Sequence, residues 1–161
     1  MLLTPIVDAS FPHIVKVMND DREQAELLIQ KIAKIMGLLA VCMALGTFLL
    51  ADFLVIIFSG TNDNDAGNFL RVLSVLPIII AATHILGPLW MVPLGEDKAY
   101  AEMFYYGVAT NVILMVTVPL ISPSLYFAAL IILFSHFMIP FLMFFYLKNS
   151  GRLFFNFKLV E

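Results

Sequence analysis

His84, Asn111 and His136 are the side chains whose chemistry stands out, because each sits inside an otherwise apolar stretch. An imidazole can take up or release a proton near neutral pH, and a carboxamide both donates and accepts hydrogen bonds. Such groups are costly inside a membrane and suggest function by default. Each of the three can line a hydrated cavity, or can bond a neighbouring helix. Their spacing argues against the commoner catalytic arrangements. No two histidines stand with a carboxylate at metal-ligand spacing, no glycine-rich phosphate loop precedes a helix, and no nucleophile has its base. "NDNDAG", from Asn62 to Gly67, begins like a calcium loop but lacks the later ligands, including the acidic twelfth position, and reads as a solvated turn. No enzyme activity, metal centre or cofactor is expected. Cys42 is the single cysteine, so no disulfide framework exists.

The elements that carry these residues follow from composition. The chain has 161 residues, 61% hydrophobic and 13% charged, where a soluble domain carries about 25% charged residues. Mean hydropathy is +0.96. So little charge cannot cover a water-facing surface, and lipid must solvate much of the chain. The net charge of -3 gives no reason to expect nucleic acid as a partner. A crossing helix needs about 20 mostly apolar residues. The pattern predicts an all-α integral membrane protein with four transmembrane helices, over 35–58, 70–94, 100–121 and 125–147. "ISPS", from Ile121 to Ser124, divides the long charge-free run from Met103 to Leu147, because Pro123 disfavours helix at Ser122. Pro77, Pro88, Pro93, Pro119 and Pro140 fall inside spans, where they kink helices and either shape packing or form a cavity or hinge. Asp52 lies roughly 27 Å along the first span at 1.5 Å per residue, near the outer interface.

Lysine and arginine set the orientation. Lys16, Arg22, Lys31, Lys34, Lys98, Lys148, Arg152 and Lys158 fall on one side of this topology, and Arg71 alone, at the rim, on the other. Positive residues stay in the cytoplasm. Both termini and the "GEDK" turn at Gly95–Lys98 are then cytoplasmic, with the Asp63/Asp65 loop and "ISPS" outside. The opening "MLLTPIVDASFPHI" has no basic region before its apolar residues and is not read as a signal peptide. Residues 1–34 form a cytoplasmic lead-in, 35–147 the membrane domain, and 148–161 a cytoplasmic tail.

Within the lead-in, residues 20–34 predict an amphipathic helix at the interface. Asp20 is positioned to cap it with Glu23 three residues on. Acids come first, Lys31 and Lys34 last, and Ala25, Leu28, Ile29 and Ile32 form one apolar stripe. In the first span Ala33, Gly37, Ala40, Ala44, Thr47 and Ala51 share a face, which reads as buried against another helix.

"FPHIVKVMNDDREQAELLIQKIAKIMG", "LVIIFSG", "FLRVLSVLPIIIAATHILGPLWMVPLGEDKAY" and "YYGVATNVILMVTVPLI" follow one another in an order that resembles O-antigen and polysaccharide flippases. These belong to the superfamily of multidrug and lipid-linked oligosaccharide exporters. The resemblance covers about Leu3 to Leu147, and the chain looks like the C-terminal part of a flippase. The family's last helix often opens with a Tyr-Gly…Gly-Ala pattern and holds a Glu. Here "SLYFAALIILFSHF" replaces the glycines, and Ser135–His136 occupy the Glu region. The resemblance implies transport of an undecaprenyl-diphosphate-linked oligosaccharide across the bacterial inner membrane for lipopolysaccharide biosynthesis. It implies as partners the lipid bilayer, the lipid-linked oligosaccharide, the remainder of the transporter, and other polysaccharide-assembly proteins. Beyond Arg71 at the rim, no Lys or Arg lies inside the four spans. A site for the diphosphate, which calls for cations, is therefore expected in the remainder. The alternative is a self-sufficient four-span protein, either a homo-oligomeric exporter or an assembly factor.

Overall fold

The computed structural model describes residues 3–60, 63–121 and 125–151, and every regular element among them is helical. Helix α1 spans Thr4–Asp20 and α2 spans Arg22–Leu49. After Leu50 comes α3, Ala51–Ser59; then α4, Asn64–Leu73; α5, Leu76–Leu86; and a π-helical segment, Gly87–Met91. Helices α6, Asp97–Ile121, and α7, Leu125–Asn149, complete the bundle.

The lead-in holds a helix, α1, whose Leu3, Val7 and Ile14 are buried. It packs on α2 and touches the π segment. The chain reverses at Asp21, which is extended at φ -152° and ψ 104°. The Asp21 carboxylate accepts hydrogen bonds from the backbone of Glu23 at 3.0 Å and of Gln24 at 3.2 Å. The cap is thus Asp21, one residue later than the Asp20–Glu23 spacing predicts. A capping residue needs a non-helical backbone, and Asp20 is still the last residue of α1.

Residues 22–34 continue into the first apolar stretch as one 28-residue helix. Ala25, Ile29, Met36, Ala40 and Ala44 are buried along it. Gly60, with φ +70°, closes α3 in the left-handed conformation that glycine adopts at least cost. Asp63 then caps α4 through the backbone N–H groups of Asp65 and Ala66.

Prolines account for the interruptions that follow. Pro77 lacks the N–H that would bond the Leu73 carbonyl, and the helix breaks at Ser74–Val75. Pro88 and Pro93 bracket the π turn, where the Val92 N–H bonds the Gly87 carbonyl at 3.2 Å. Even so, Asn64–Met91 runs as one apolar path of 28 residues. Glycine permits three close approaches: a Cβ on Gly67 would run into the Asp52 carboxylate, one on Gly87 into the Tyr100 ring, and one on Gly107 into the Ile139 side chain. The last fixes the antiparallel register of α6 and α7. The "ISPS" turn falls at 122–124 and most of the tail at 152–161, both outside the described residues.

The core gathers toward the "GEDK" end. Leu3, Val7 and Ile14 of α1 meet Ile29, Met36 and Ala40 of α2, Leu89–Met91 of the π turn, and Ile139, Met143 and Leu147 of α7. Elsewhere large apolar side chains point outward: Leu49 is 76% exposed, Phe58 86% and Ile113 61%. Exposed apolar area on this scale calls for a non-aqueous surround. Arg22–Leu49, Asn64–Met91 and Tyr126–Asn149 are long and apolar enough to cross a membrane. Helix α6 has 25 residues, but Asp97, Lys98 and Glu102 occupy its first turns.

Candidate functional site

His84, Asn111 and His136 are each half-buried, on α5, α6 and α7 respectively. His136 spends one ring nitrogen on its own helix, with Nδ1 2.9 Å from the Ile132 carbonyl oxygen. The register that faces Gly107 with Ile139 puts Asn111 level with Ser135 and His136. Helix α5 runs alongside α7, with Ile78 and Leu86 flanking the same groove as Phe137 and Phe145. That alignment puts His84 about 10 Å nearer the "GEDK" end, at 1.5 Å rise per residue. Among the described residues no hydrogen bond joins any two of the three. Two of the candidates thus share one depth and the third does not.

The prediction for these residues is solvent access. With Cys42→Ser as background, His84→Cys, Asn111→Cys and His136→Cys should each react with a small water-soluble thiol reagent in membranes, as should a control Asn64→Cys. Labelling of the control with protection at all three positions would make them interhelical glue, worth about 1 kcal/mol each.

Two polar ties bind opposite ends of the bundle. At one end Arg71 donates to the Asp52 carboxylate at 2.6 Å and to the Asn68 side chain at 3.0 Å. This joins α3 to α4. Arg71 lies seven residues into the Asn64–Met91 path, so a cation does stand within an apolar helix, matched by a carboxylate. At the other end the Tyr146 hydroxyl donates to Glu96 Oε2 at 2.7 Å, tying the "GEDK" turn to the end of α7. Both ties span long stretches of sequence, and no local spacing announces them.

Between the ends, α5 and α7 frame a groove of about 390 Å³. Ile78, Ala82 and Leu86 form one wall, and Phe137, Phe141 and Phe144 the other. The rings of Phe137, Phe141 and Phe145 follow one another at centroid separations of 5.9 and 4.7 Å. None of the three polar candidates lines it. A surface of this composition can hold hydrocarbon but can neither transfer a proton nor bind a metal. Among the described residues no group of three or more His, Cys, Asp or Glu could hold a metal ion.

A protein of Shigella dysenteriae that carries the provisional name O-antigen transporter is 26% identical to this chain over 112 residues. The match covers 70% of this chain and 28% of that protein, so the chain spans less than a third of its relative. No protein-family profile and no solved structure matches the chain.

Proposed function

We propose that the chain is the C-terminal part of an O-antigen transporter. In this reading it works with the rest of the transporter to move undecaprenyl-diphosphate-linked oligosaccharide units across the bacterial inner membrane. The observation that carries the reading is the similarity to the Shigella dysenteriae protein over 112 residues. The apolar surface and the long helices support the membrane setting.

The reading takes α6 as a fourth span. Its 25 residues extend roughly 37 Å. Tyr105 and Tyr106 near one end, and Tyr126 across the hairpin at the other, are exposed where interfacial aromatics gather. The basic residues put the "GEDK" turn and both termini in the cytoplasm. Reporter fusions after Lys98 should therefore report cytoplasm and those near Asn64 periplasm. A periplasmic signal at Lys98 would discard this topology.

Transport itself is tested in the bacterium that carries the gene. Deleting the coding region for this chain should remove O-antigen from the cell surface and leave lipid-linked units inside. Undiminished surface O-antigen would refute the reading.

A further inference from the structure

Among the described residues, the groove between α5 and α7 has an unmatched cation at one end. Lys148 lies one turn past Phe144 and two past Phe141 on the same side of α7. It is exposed and forms no ion pair among the described residues. A helical side chain leans toward its own N-terminus, which here carries the Lys148 ammonium back toward the groove. The other end differs. Arg71, two turns before Ile78, is already matched by Asp52. Among the described residues, an anionic group that follows the groove therefore finds its unmatched partner at Lys148.

The groove's shape selects the other half of the ligand. Helices α5 and α7 pack on each other beneath it, so it is a furrow rather than a gap. A helix is about 10–12 Å across with its side chains and would lie over such a furrow without filling it. A single aliphatic chain fits within, and its lining offers nothing but carbon to meet.

We propose that the α5–α7 groove binds one acyl chain of an anionic phospholipid, whose phosphate pairs with Lys148. The lipid enters from the leaflet at the "GEDK" end of the bundle. The proposal requires membrane embedding but not transport, so it can fail while the transport reading stands.

The test uses the full 161-residue chain in nanodiscs of mixed phosphatidylglycerol and phosphatidylethanolamine. A trace of phosphatidylglycerol carries a diazirine on its acyl chain, and adducts are mapped by peptide mass spectrometry. Adducts should concentrate on Ile78–Leu86 and Phe137–Phe145 rather than on the exposed α6 face at Val112 and Ile113. Lys148→Glu should lower groove labelling at least about fivefold, since losing one lysine beside an anionic headgroup is alone worth that much and the glutamate adds repulsion, and Lys148→Arg should retain it. Labelling by the same probe on phosphatidylethanolamine should change less. Ala82→Phe, which fills the furrow, should reduce labelling to the level of the α6 face. If that variant does not fold, the Lys148→Glu and Lys148→Arg pair still decides, because Lys148 is exposed and its replacement disturbs no packing. Even labelling of all outward faces would overturn the proposal. So would indifference to Lys148→Glu, or a groove shielded by a second copy that cross-links through Phe141→Cys.

Discussion

Gly107→Val should drive α6 and α7 apart at mid-hairpin. A Cβ at this buried glycine meets the Cγ1 and Cδ1 atoms of Ile139 inside van der Waals range. Isoleucine is branched at Cβ and has few rotamers to escape into, and Ile139 belongs to the core. Forced overpacking of this kind costs about 1–3 kcal/mol. Ile139→Ala alone leaves a cavity and should cost about 2–5 kcal/mol. Combined, the two should cost less than their sum, because the new methyls enter the space that Ile139 vacates. Thermal unfolding of detergent-solubilised protein reads all three. Strict additivity, or an unchanged midpoint for Gly107→Val, would show that the helices do not approach at this point.

The second large effect is all-or-none. Expressed alone in a strain lacking its O-antigen transporter, the chain should restore no surface O-antigen. Transporters of this kind alternate access by rocking one repeat or bundle against another around a site at their interface. This chain covers 28% of its relative's length and, in the proposed reading, supplies only part of one bundle. Its own groove is lined by apolar groups and offers a sugar no hydrogen bonds. Restored display by the isolated chain in a clean deletion background would sink the partial-transporter reading. It would favour a carrier assembled from several copies.

What the sequence disclosed depended on the range of the interaction. The apolar runs and the prolines are local; they predict four spans, three of which overlap helices long and apolar enough to cross a membrane, and the broken path through Pro77, Pro88 and Pro93. The small-residue face of the first span is local for the same reason: Ala40 and Ala44 on α2 and Ala51 at the start of α3 are buried. Yet Gly37 on that face has nothing within 4 Å of a hypothetical Cβ. The tight approaches occur instead at Gly67, Gly87 and Gly107, whose partners Asp52, Tyr100 and Ile139 lie on other helices. The sequence pattern predicts a helix in the lead-in only over 20–34, yet α1 forms before it in spite of two prolines, Pro5 and Pro12. Pro5 in fact falls in the first turn, where its missing N–H costs nothing, and Pro12 is accommodated further along. The cap moved from Asp20 to Asp21 because of where α1 ends, which the capping pattern alone does not encode. His84, Asn111 and His136 stood out by type, but their relative depths required the α5–α7 and α6–α7 registers.

The two ends of the bundle are fastened by different physics. Asp52 and Arg71 are a full ion pair with side chains 52% and 35% exposed, so dissolved ions reach them. Screening shortens electrostatic reach from about 30 Å at 0.01 M salt to about 8 Å at 0.15 M. Tyr146 and Glu96 share a partly buried hydrogen bond from a neutral phenol, which depends on contact rather than on distant charge. A rise in ionic strength therefore weakens the Asp52 end more than the Glu96 end, giving the bundle a built-in polarity of response to salt.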